Sequence, residues 1–129
     1  MKVSAMLGGL LLSALSFAAT AGVSFVEPKD GASVGQEVKV VMAVDGMTIK
    51  MAGDMTPGTG HHHLIINGGP VPKGQVIPAD PQHLHFGKGQ TETTLTLAPG
   101  RHLLTLQFAD GEHKSYGPEW AQTITIEVK

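Results

Sequence analysis

Short apolar runs with a period of two, each cut off by a turn, constrain this chain most. Val38, Val40, Met42 and Val44 alternate with Lys39, Val41, Ala43 and Asp45, so one face of the run is wholly apolar. Asp45-Gly46 reads as a tight turn into a further extended run over 47–52. His62-His63-Leu64-Ile65-Ile66 reads as a strand that stops at Asn67-Gly68-Gly69-Pro70. Residues 91–97 and 102–108 flank Pro99-Gly100, where a preset φ and a tolerance of positive φ predict a hairpin. Further strands are expected at 23–26 and 123–128, and no convincing helical period follows residue 21. About seven short strands at regular spacing predict an all-β fold, an antiparallel immunoglobulin-like β-sandwich. The abundance of Gly (17) and Pro (8) in 129 residues agrees, because many tight turns need them.

The first residues read as an address. Lys2 precedes an apolar stretch over 6–19, and Ala19-Thr20-Ala21 fits the small-x-small pattern of a cleavage site. The stretch is shorter than the roughly 20 residues a membrane span needs. Residues 1–21 are therefore expected to be a cleaved signal peptide, leaving residues 22–129 as one β-sandwich domain in the periplasm or secreted medium, with no membrane span after cleavage. With no cysteine, this small exported domain has neither disulfides nor a thiolate metal ligand. Nine basic and 11 acidic residues, with no long run of either sign, argue against a nucleic-acid partner.

Seven histidines in a chain this small are the anomaly. Five lie in two groups, His61-His62-His63 and His83-Leu84-His85. Residues two apart on a strand share a face, so His61 and His63 project together, as do His83 and His85. His62 points the other way, with Leu64 and Ile66. Neutral imidazole is the commonest protein metal ligand and suits copper, zinc and nickel. His61, His63, His83 and His85 are thus the expected ligands, with His62 and His102 as candidates to complete the shell. For His102, beside the hairpin turn, and His113, in the polar Asp110-Gly111-Glu112 loop, a structural role is expected, though either can complete a site from across the sandwich. Asp80 reads as a turn residue, and it and Asp110 are also possible acceptors for imidazole N–H groups.

Met42, Met47, Met51 and Met55 come just before the histidine triplet. Thioethers are soft ligands that favour Cu(I), whereas zinc seldom uses them, so Met51 or Met55 is a further candidate ligand and copper the favoured ion, with zinc the alternative. Met42 shares the apolar face of its run and reads as core. The Gly87-Lys88-Gly89-Gln90-Thr91 string lacks the spacing of a phosphate-binding loop, and no mature serine sits in a nucleophile elbow.

Four strings have a familiar combination: Gly58-Thr59-Gly60-His61-His62-His63-Leu64-Ile65-Ile66-Asn67, Ile77-Pro78-Ala79-Asp80, His83-Leu84-His85-Phe86-Gly87-Lys88-Gly89-Gln90-Thr91-Glu92 and Pro99-Gly100-Arg101-His102. Together they resemble a bacterial secreted family catalogued as domain of unknown function 4399, over about Val23 to Val128. The resemblance implies a small exported β domain, sometimes attached to other modules, and supplies neither reaction nor ligand. The functional expectation is a periplasmic transition-metal protein that buffers or delivers copper, with a periplasmic protein as a possible partner. The alternatives are an immunoglobulin-like interaction module with structural histidines and a zinc-dependent enzyme.

Overall fold

The computed structural model describes residues 22–129, and the segment read as a signal peptide, residues 1–21, lies outside them. The strands are β1 (Gly22–Glu27), β2 (Ser33–Val34), β3 (Glu37–Asp45), β4 (Thr48–Ile49), β5 (Thr59–Ile66), β6 (His83–His85), β7 (Glu92–Thr96), β8 (Gly100–Ala109) and β9 (Ala121–Val128), with one 3-10 turn at Pro118–Trp120. No α-helix occurs among the described residues, and none of their helices is long and apolar enough to cross a membrane. The all-β class predicted from the alternation is what the chain adopts.

One antiparallel sheet has the order β1-β3-β7, and the larger sheet runs β2-β9-β8-β5-β4, with β6 also paired to β5. Most pairings are antiparallel; β2 with β9 and β4 with β5 are parallel. The two sheets share a core as a sandwich does. Val38, Val40 and Met42 of β3 are buried in one cluster with Leu64 of β5, Leu106 and Phe108 of β8, and Ile124 and Ile126 of β9. Burying each such large apolar side chain contributes about 1.5–3 kcal/mol, which is how the sheets hold without a disulfide.

One turn reading needs correction. Pro99-Gly100 reverses the chain but makes no hairpin, since β7 pairs with β3 while β8 pairs with β5 and β9. Asp45-Gly46 makes the change of direction expected there, with Gly46 at φ 97°, and passes the chain from β3 in one sheet to β4 in the other. A turn sets only the local change of direction. The partner is chosen by burial, as where Leu95 of β7 lies opposite Val38 of β3. The run expected over 47–52 pairs only through Thr48 and Ile49. Beyond them it bends away, with Ala52 N–H donating to the Gly87 carbonyl (2.7 Å) and Gly53 N–H to the Gly111 carbonyl (2.8 Å).

β5 is buried on both faces. Its even residues enter the sandwich core, and its odd residues lie under a cover formed by the chain after Ile66 and by the turn after Ala109. Ile65, Val71, Ile77 and Ala109 make a second apolar cluster there. Val71 N–H donates to Gln107 Oε1 (3.0 Å), Ser115 Oγ–H to the Val71 carbonyl (2.7 Å) and Ile77 N–H to the His113 carbonyl (2.8 Å). These bonds satisfy the buried polar groups of the cover and fix it against the sheet.

Candidate metal centre

Beneath this cover β5 sets its histidines by parity. His61, His62 and His63 are all fully buried, His61 and His63 on the covered face and His62 in the sandwich core. Gly60 makes the approach possible, because a Cβ there would run into the Ala109 carbonyl and lie 2.8 Å from Phe108.

The third member of the site comes from the turn after β8. Asp110 Oδ1 accepts N–H bonds from Glu112 (2.8 Å) and Lys114 (3.0 Å), and His113 N–H donates to the Asp110 carbonyl (2.9 Å). His113 therefore sits at φ 67°, in the left-handed region more often given to Gly or Asn. Its side chain meets β5: His113 Nδ1 lies 3.1 Å from His61 Nε2 and 3.3 Å from His63 Nε2. One nitrogen from each of His61, His63 and His113 lies within 4.8 Å of the other two.

Three facing nitrogens cannot satisfy one another. Neutral imidazole nitrogen offers one in-plane position, so His113 Nδ1 makes a single good hydrogen bond and its second contact sets like against like. A cation between them would accept all three lone pairs. The spacings of His61 and His63 from His113, 3.1 and 3.3 Å, fit as well, since imidazole nitrogens held tetrahedrally at about 2.0–2.1 Å from an ion lie about 3.3 Å apart. Burial keeps the donors in their ligating form. Desolvation first, then the neighbouring histidines His113 and His85, pushes His61 down to about 4. Burial, then His61, His85 and His113, pushes His63 down to about 2, and burial also lowers His113. All three are neutral at pH 7, as a metal ligand must be.

The other expected ligands divide. His85 lies directly opposite His63 in the β5–β6 register, with ring centroids 4.3 Å from His63 and 4.7 Å from His113. Its Nε2–H donates to the Pro78 carbonyl (2.8 Å), which leaves the lone pair on Nδ1. It stands beside the three convergent nitrogens rather than among them. His83 falls opposite Ile65, one step along the same face, and donates from Nδ1 to Asp80 Oδ1 (2.8 Å). Asp80 also accepts from Gln82 N–H (2.9 Å), so it is both a turn residue and an imidazole acceptor. His102 lies opposite Ile126 of β9, well along β8 from Ala109, and donates from Nε2 to the Ala98 carbonyl (2.8 Å), with Asn67 Nδ2 3.1 Å from its Nδ1.

His62 faces the core on the opposite side of β5. Its ring packs edge-on to Phe108 at 5.2 Å, and neither nitrogen has a hydrogen-bond partner among the described residues. Burial, then His61, pushes it down to about 4. Met42 is core, as expected, whereas Met51 and Met55 are 62% and 49% exposed on the loop that bonds to Gly87 and Gly111. The participation of His113 was the least legible part of this site: a polar loop signals a turn, and only the fold aims that turn at β5.

A family model described as Domain of unknown function (DUF4399) matches residues 40–129. The chain belongs to that family. All seven histidines of this DUF4399 protein lie inside the match, while β1, β2 and the start of β3 precede it. Searches of curated proteins and of solved structures find no match.

Proposed function

We propose that this DUF4399 protein is an exported, periplasmic binder of a transition-metal ion, copper before zinc, that buffers or delivers it. His61, His63 and His113 would hold the ion. The observation that carries this reading is the meeting of their three neutral nitrogens, His61 and His63 fully buried, in a geometry where they cannot all satisfy one another. Imidazole donors serve both metals, and the stability order of divalent ions places copper above zinc. The leader-like residues 1–21 support export, and delivery implies a periplasmic protein that receives the ion.

The test is to strip the tag-free protein with a chelator and titrate it with Cu(II), Zn(II) and, anaerobically, Cu(I), counting bound ions. One tight copper per chain is expected. His113→Asn should weaken it by about 10–100-fold or more, since Asn keeps the left-handed turn and removes the imidazole. A preference for zinc would shift the reading to a structural or hydrolytic centre. Absence of stoichiometric binding would overturn it and leave the histidines as architecture.

A further inference from the structure

Among the described residues, the histidine cluster meets solvent through His85 and His113. His61 and His63 are fully buried, while His85 and His113 are partly exposed, so solvent meets the cluster at the β6 end and at the 110–114 turn. The loop after β4 joins these two places. Its Ala52 and Gly53 N–H groups bond to the carbonyls of Gly87 and Gly111, each two residues from one of the partly exposed histidines. The fit is close, because a Cβ on Gly111 would collide with the Asp54 backbone and one on Gly87 would lie 3.1 Å from Ala52 Cβ.

On this rim the chain places two methionines in water. Asp54 N–H donates to the Met51 carbonyl (3.1 Å), so Met51 and Met55 flank one tight turn, which Thr56 locks by donating from Oγ1 and N–H to Asp54 Oδ1. Their exposure, 62% and 49%, contrasts with Met42, which is buried, and Met47, which packs on the core. Core packing holds neither thioether, so both are accessible to an ion in solution. An exposed thioether is a soft, uncharged donor, suited to Cu(I) or Ag(I) and poorly suited to zinc, and the turn brings two of them to one loop.

We propose that Met51 and Met55 capture a soft monovalent ion at the rim and pass it inward to His61, His63 and His113. The transfer half of this rests on the metal-centre reading above; the capture half stands on the rim itself. No electron moves and no proton leaves the protein: a monovalent ion exchanges thioether donors for imidazole nitrogens, and the ring that held an N–H within the cluster shifts that proton to its other nitrogen.

Ag(I), which is not oxidised in air, is the probe. Substoichiometric Ag(I) is titrated into the full protein carrying 13C-methyl methionine, with single Met51→Leu and Met55→Leu variants assigning the two methyl signals. Both signals should shift in the wild type and still shift in His113→Asn, while the ring signals of His61 and His63 shift in the wild type and lose that response in His113→Asn. In the double variant Met51→Leu/Met55→Leu, uptake of Cu(I) from a competing chelator should slow by about tenfold, because the ion is no longer concentrated at the rim. Zn(II) uptake and the thermal midpoint should stay unchanged. Methyl signals that ignore Ag(I), or equal Cu(I) uptake rates in wild type and double variant, overturn the capture site. Methyl shifts without any histidine shift sink the histidine centre, and the transfer with it.

Discussion

His62 is the side chain whose chemistry its surroundings reward least. A fully buried imidazole with two unpartnered nitrogens forfeits about 1–3 kcal/mol relative to a satisfied or apolar group. Leucine is close in size and suits the neighbouring Phe108 and Leu64. His62→Leu is therefore expected to raise stability by about 1 kcal/mol in urea unfolding while leaving the count of bound metal unchanged. A loss of metal binding in this variant would show that His62 contributes to the site from the far side of the strand. His113 is the opposite case, an imidazole at φ 67° whose backbone is held by Asp110 and whose ring has two nitrogen neighbours. Both residues sit next to polar or histidine-rich text in the sequence, and only their surroundings separate them.

β5 explains how adjacent histidines come to such different ends. Its alternation sends His62, Leu64 and Ile66 to the sandwich core and His61, His63 and Ile65 to the covered face. The strand lies deep because β8 pairs along one side while β4 and β6 share the other. Close contact at its start depends on Gly60. Gly60→Ala would drive a Cβ into the Ala109 carbonyl, which belongs to backbone and has little room to yield. We expect a loss of about 1–3 kcal/mol in thermal or urea unfolding, together with weaker metal binding through the shifted His61. A variant with wild-type stability would mean that the two strands can separate at this point without cost. The β6 register decides which of the second histidine pair approaches the site. His85 meets His63, whereas His83 meets Ile65 and turns to Asp80. A slip of two residues one way would have set His83 opposite His63 and His85 opposite His61.

Taken as a unit, the metal-free protein carries several histidines held neutral by burial, and this links its stability to pH. The ordinary imidazole pKa of 6.5 applies in the unfolded chain, while His61 and His62 lie at about 4 and His63 at about 2 in the folded state. Between these values the unfolded chain binds more protons, so stability rises with pH. The stabilising effect of neutral histidines is complete above about pH 6.5 and is lost as pH falls towards 4, with His63 continuing below that. Each such group removes about 1.4 kcal/mol per pH unit inside its window. Urea midpoints of chelator-stripped protein should therefore drop steadily from pH 7 to pH 4; a level profile would show that these imidazoles are not neutral and buried. A metal ion that binds only the folded chain, at 100 times its dissociation constant, would add about 2.7 kcal/mol at pH 7.

Alternation and turn residues in the sequence were sufficient for the all-β class, for most strands, and for the opposite facing of His62 and its two neighbours. All of these depend on periods of two residues, which are local. Export was an expectation of the same kind, resting on residues 1–21 alone. What pairs with what was not local. Pro99-Gly100 bent the chain without pairing the strands it joins, because burial of Leu95 against β3 and of Leu106 against β5 outweighed proximity in sequence. His113 entered the cluster, and His83 and His102 stood apart from it, for the same reason. A side chain's facing follows from its position along a strand, but its neighbours follow from register and from the cover laid over the sheet. Both are set by apolar surface and hydrogen bonds between segments tens of residues apart.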